Sequence, residues 1–214
     1  HRIEREADTL TATTGPAARD VPHRLAFWLI ALAFGLTGVV STALLVHMVP
    51  ILDRSGLGPH VYVAAALAGP AMMGVRLAEI LFWPRAHPIW SAGISALCFP
   101  MALITLVSGL PPLIAGCLFA VLYGAGHGLG VTSSGTLPLR VFGPDGYAEL
   151  LGRLGAVRVV MGASGPAALA FGIEHGGLGP TLTVGMTIAL AGVVPLLLLG
   201  RLLFLPPATP GDAR

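Results

Sequence analysis

The chain has 214 residues, of which 55% are hydrophobic and 10% charged, and a mean hydropathy of +0.83. A soluble domain carries about 25% charged residues, and a soluble core of this length cannot hide so much apolar surface. The formal net charge of +2 at pH 7 points to no nucleic-acid partner; the composition points to a lipid bilayer.

Residues 1–23, "HRIEREADTLTATTGPAARDVPH", are polar and charged and lack the apolar core of a signal peptide. A cytoplasmic linker is expected here. Because the chain opens on His rather than Met, a longer parent protein is expected as well. Beyond the linker, stretches without Asp, Glu, Lys or Arg run over 25–52, 55–75, 86–139, 159–173 and 175–200. A helix needs roughly 20 apolar residues to cross about 30 Å of hydrocarbon. The third stretch is too long for one crossing, and "GLPP" at 109–112 divides it.

Six helices are therefore expected, near 25–52, 60–83, 88–108, 112–134, 150–173 and 179–204. They would form an all-α six-transmembrane-helix bundle over 24–205, followed by a cytoplasmic tail at 206–214. The fifth is interrupted by Arg158. From 158 to 173 a helix spans roughly 22 Å, which puts Arg158 near one interface, where its side chain would snorkel. Its face also carries Gly155, Gly162 and Gly165, and an anion contact is the alternative.

The arginines set the orientation, since the chain has no Lys. Arg2, Arg5, Arg19, Arg24, Arg76, Arg85, Arg140, Arg153, Arg158, Arg201 and Arg214 fall on one side of a six-crossing path, and Arg54 alone on the other. By the positive-inside rule both termini are expected in the cytoplasm, and the absence of Lys points to a high-GC bacterial genome and so to a bacterial inner membrane. Cys98 and Cys117 lie within expected helices and read as small buried hydrophobes. No catalytic residue, cofactor or metal site is expected.

The stretch "YGAGHGLG" at 123–130 has glycine at every second position. A dinucleotide loop needs G-x-G-x-x-G between a strand and a helix, and neither spacing nor context fits. On a helix, Gly124/Gly128 and Gly126/Gly130 form two interleaved small-residue stripes, which let helix backbones approach closely in lipid. Close neighbours on two sides are expected. At 100° per residue Tyr123, His127 and Ser134 share one face. His127 reads two ways: hydrogen-bonded to a neighbouring helix, or lining a watery cavity where it could carry protons.

Arg76 and Glu79 stand at i and i+3 and can pair as an interface salt bridge or act in gating. His47, three residues before Pro50, reads as a cap or outer-gate contact. Pro70, Pro100, Pro138, Pro166 and Pro195 fall in or near helices and are expected to kink them. "GASG" at 162–165 resembles the serine motif of rhomboid intramembrane proteases. Serine chemistry needs a histidine base on a later span, and after Ser164 the only histidine is His175.

Three features together resemble the C-terminal half of a major facilitator superfamily transporter. The charged linker leads into six helices; "HMVPILDRSGLG" at 47–58 is similar to the end of that family's seventh helix; and "AGPAMMGVRLAE" at 68–79 with "YGAGHGLGVTSSGTLPLRVFGPDGYAELLGRLGA" at 123–156 resembles its eighth helix and tenth-to-eleventh connection. "AGPA" at 68–71 and "SGPA" at 164–167 occupy the positions an internal three-plus-three inverted repeat requires.

The resemblance implies a proton-coupled secondary transporter that moves a small solute by alternating access, with an N-terminal six-helix half as partner. The cavity wall would be Tyr123, His127, Ser134, Thr37 and Ser41, with Arg76, Glu79, Arg158 and His47 as gating or anion contacts. The alternative is a stand-alone six-helix protein, a rhomboid-like protease or a scaffold subunit.

Overall fold

A computed structural model describes residues 22–83 and 87–204. The linker expected at 1–23, apart from Pro22 and His23, and the tail expected at 206–214 lie outside the described residues, as does Arg85. The helices are α1 (His23–Arg54), α2 (Val61–Ala66), α3 (Ala68–Phe82), α4 (Pro88–Val107), α5 (Pro112–Phe142), α6 (Tyr147–Gly176) and α7 (Leu178–Phe204), with a 3₁₀ turn at Gly58–His60 before α2. Among the described residues there is no strand. Six helices are long and apolar enough to cross a membrane when the turn, α2 and α3 are taken as one span. The chain is an all-α, multi-pass membrane bundle.

Local chemistry explains the boundaries. Pro88 and Pro112 open α4 and α5 at first-turn positions, where a missing N–H costs nothing. Gly143 (φ 80°) and Gly177 (φ 79°) follow the ends of α5 and α6, in a conformation that a side chain would strain.

Three boundaries correct the sequence expectation. The second span is broken at Leu67, because Pro70 has no N–H to offer the Ala66 carbonyl and its ring crowds that carbonyl. The fourth runs to Phe142 rather than 134. Its late hydroxyls turn back on their own helix: Ser134 Oγ donates to the Val131 carbonyl at 2.8 Å and Thr136 Oγ1 to that of Thr132 at 3.1 Å, so polar residues continue it. The fifth is Tyr147–Gly176, 30 residues, and this moves Arg158 away from the helix end.

α1 packs chiefly on α6 and α7, α5 on α4 and α3, and α4 on α7. Exchanging the first three spans with the last three reproduces this pairing. Glycines allow the close approaches. A Cβ at Gly124 would collide with the Ala68 carbonyl oxygen of α3, and one at Gly165 with the Val39 carbonyl oxygen of α1. Gly128 also faces α3, at Met72, while Gly126 and Gly130 face α4 at Cys98 and Ser95. The two stripes read from the sequence meet two different helices.

Buried apolar residues form two clusters. One gathers Leu44, Ile51, Phe99, Leu103, Phe119 and Leu182. The other gathers Ile30, Phe34, Ile89, Leu137, Leu154 and Leu199. Between them, on α1, α5 and α6, lie Thr37, His127 and Arg158.

Candidate functional site

The layer between the clusters holds a connected polar group near the middle of the bundle. His127 is the sixteenth of the 31 residues of α5, its midpoint. Ser41 lies about 4 Å from the midpoint of α1 and Arg158 about 5 Å from that of α6, at 1.5 Å per residue. Ser41 Oγ and His127 Nδ1 are 2.8 Å apart. Two proton arrangements satisfy that bond: the hydroxyl donates to a neutral ring that carries its proton on Nε2, or Nδ1–H donates to Oγ. The Tyr123 hydroxyl donates to the Ser41 carbonyl at 3.2 Å, and its ring stacks on His127 with centroids 5.8 Å apart. Phe119 and Phe99 pack against the same tyrosine.

A cavity of about 20 Å³ opens beside this pair, lined among others by Thr37, Ser41, Ser95, His127 and Arg158. That is room for about one water. Thr37 Oγ1 bonds the Ala33 carbonyl at 2.8 Å within its own helix. Glycine makes space for the arginine: a Cβ at Gly38 would stand 3.2 Å from Arg158 Cγ. The cavity can therefore present a cation, an imidazole and three hydroxyls to one small polar guest.

The structure brings Thr37, Ser41, Tyr123 and His127 together and leaves Ser134 out. Ser134 is two helical turns beyond His127, roughly 10 Å, and its hydroxyl is spent on Val131. Arg158, expected near a helix end, is the twelfth of the 30 residues of α6 and lines the cavity. Arg76 and Glu79 do not pair with each other. Arg76 Nε donates to the Gly128 carbonyl of α5 at 3.2 Å, and Glu79 Oε1 accepts from Ser91 Oγ of α4. His47 is half-buried and contacts the Ala43 carbonyl at 3.3 Å one turn back.

Ser95 was not singled out from the sequence. It is buried, 4% exposed, and donates to the Gly126 carbonyl at 2.7 Å. Its spacing of four residues from Ser91 on a mostly apolar helix was the available signal.

Ser164 Oγ donates to the Met161 carbonyl at 2.7 Å. His175 lies eleven residues further along the same helix, about 16 Å, with Nδ1 at 3.0 Å from the Phe171 carbonyl. The two do not meet. Among the described residues no group of three or more His, Cys, Asp and Glu side chains could hold a metal ion. Comparison with family models, curated proteins and solved structures finds no match to this chain.

Proposed function

We propose that this chain is the six-helix C-terminal half of a proton-coupled secondary transporter of the major facilitator type, moving a small polar solute across a bacterial inner membrane with both termini in the cytoplasm. The observation that carries the reading is the mid-helix meeting of Ser41, His127 and Arg158 from three spans. Polar and ionisable groups are costly at that depth and mark solute or ion pathways. The exchange-symmetric packing of the two three-span sets supports the same reading, as do the short motifs that resemble that family. In this scheme an N-terminal half closes the cavity, Arg158 contacts an anionic group of the solute, and His127 exchanges the proton.

Two measurements test it. The reading frame upstream of His1 is expected to encode roughly 180–200 codons with six further apolar segments, as a two-half transporter requires. In the full-length protein, with Cys98 and Cys117 replaced by alanine, Thr37→Cys is expected to react with a membrane-impermeant maleimide. The reactive side should change when a proton gradient is imposed. Thr37→Cys unreactive from both sides would defeat alternating access at this cavity.

A further inference from the structure

A second opening lies away from the polar layer. Between α3 and α4 is a groove of about 620 Å³ whose walls include Phe82, Trp83, Trp90 and Ile94, with Glu79 and Ser91 among the lining residues. Phe82 is 77% exposed, Trp83 67% and Trp90 64%, so the groove faces outward. Among the described residues Glu79 is its one ionisable group. Oε1 accepts the Ser91 hydroxyl, while Oε2 is buried and has no hydrogen-bond partner among the described residues. An unpaired buried carboxylate oxygen is costly. A water could meet the oxygen but would not fill an apolar groove of this size.

We propose that this groove seats a phospholipid with a primary ammonium headgroup, whose N–H donates to Glu79 Oε2 while an acyl chain lies along the aromatic and aliphatic wall. The depth fits. Glu79 stands three residues before the end of α3 and Ser91 three residues after the start of α4, about 5 Å from each helix end. Tryptophan pairs of this kind sit where hydrocarbon gives way to headgroups. Charge complementarity selects the head: the negative carboxylate repels anionic lipids. A quaternary trimethylammonium carries the same charge as a primary ammonium but has no N–H to give. The inference rests on the helices crossing a bilayer and not on transport.

The test uses the full chain with Trp28→Phe, leaving Trp83 and Trp90 of its three tryptophans to report on the groove. The protein is reconstituted in phosphatidylcholine bilayers and titrated with bromoacyl phosphatidylethanolamine or bromoacyl phosphatidylcholine, with tryptophan quenching as the readout. Half-quenching by the ethanolamine lipid is expected at about tenfold lower mole fraction, the effect of one charge-assisted hydrogen bond. Glu79→Gln should bring the two titrations together. Equal titrations in the protein with Glu79 intact would overturn the proposal, as would a preference that survives Glu79→Gln. The first comparison needs no change at position 79, so it decides the matter even if that variant does not fold.

Discussion

Ser41 and His127, 86 residues apart in sequence, share a 2.8 Å hydrogen bond between the two longest helices of the bundle. Ser41 is 4% exposed, so the bond is sheltered from bulk water. Ser41→Ala would leave the ring nitrogen unpaired at a cost of about 1–3 kcal/mol. A lower midpoint of thermal unfolding in detergent is expected, and Ser41→Thr, which keeps the hydroxyl, should recover most of it.

The same pair offers a test of proton carriage. His127→Gln retains a neutral side chain able to bond Ser41 but cannot hold a positive charge. Solute-driven proton uptake into proteoliposomes is expected to be lost, with the pH dependence of transport flattened between about pH 5 and 8. Undiminished proton uptake would show that His127 is a structural bond only.

The glycine contacts sort into two classes with opposite expected signs. Gly124→Ala drives a methyl into the Ala68 carbonyl, and Gly165→Ala drives one into that of Val39. Neither backbone can yield cheaply, so each should cost about 1–3 kcal/mol. Nothing lies within 4 Å of a Cβ at Gly152 or Gly155, both inside α6. There, alanine should raise stability by about 0.5–1 kcal/mol through helix propensity. Unfolding by a denaturing detergent, measured on all four variants, separates the classes.

His87 makes the N-terminal cap of α4 pH-sensitive. Its Nδ1 accepts the Ile89 N–H at 3.3 Å, which only the neutral ring can do. Burial, and secondarily the positive charge of Arg140, pull its pKa below the ordinary histidine value of 6.5. The folded state therefore favours the neutral ring. The resulting stability is fully present above pH 6.5 and is lost as pH falls through the lowered folded value. Thermal unfolding measured from pH 8 downward should show this loss. His87→Asn, which keeps an acceptor at the cap but does not titrate, should remove that part of the pH dependence.

Pro70 gives a prediction about dynamics. Pro70→Ala supplies the N–H that the Ala66 carbonyl lacks, so α2 and α3 should join. Hydrogen exchange across residues 66–71 is expected to slow, and unchanged exchange would mean that the break at Leu67 has another cause.

Composition made the membrane class and the number of spans legible, because charge-free stretches of crossing length have few alternatives in a chain this apolar. The paired glycine stripes were legible too, since backbone approach depends only on which side chains are missing. The far end of α5 was not. Ser134 and Thr136 look like loop residues until their hydroxyls are seen to bond their own helix. The depth of Arg158 depended on where α6 begins, and residues 147–153 mix polar and apolar side chains in a way that fits helix or turn. Arg76 and Glu79 are suitably spaced to pair. Which partner each takes is decided by Gly128 and Ser91 on other helices, and spacing within one helix cannot report that.

Gly177 alone joins α6 to α7. A one-residue link has almost no slack, so a tilt of the helix that carries Arg158 must displace the start of the next. α7 lies against both α1 and α4, and the displacement therefore reaches the opposite set of three spans. Under the proposed transport, force applied at the arginine by a guest arriving or leaving would be delivered across the bundle as by a short crank.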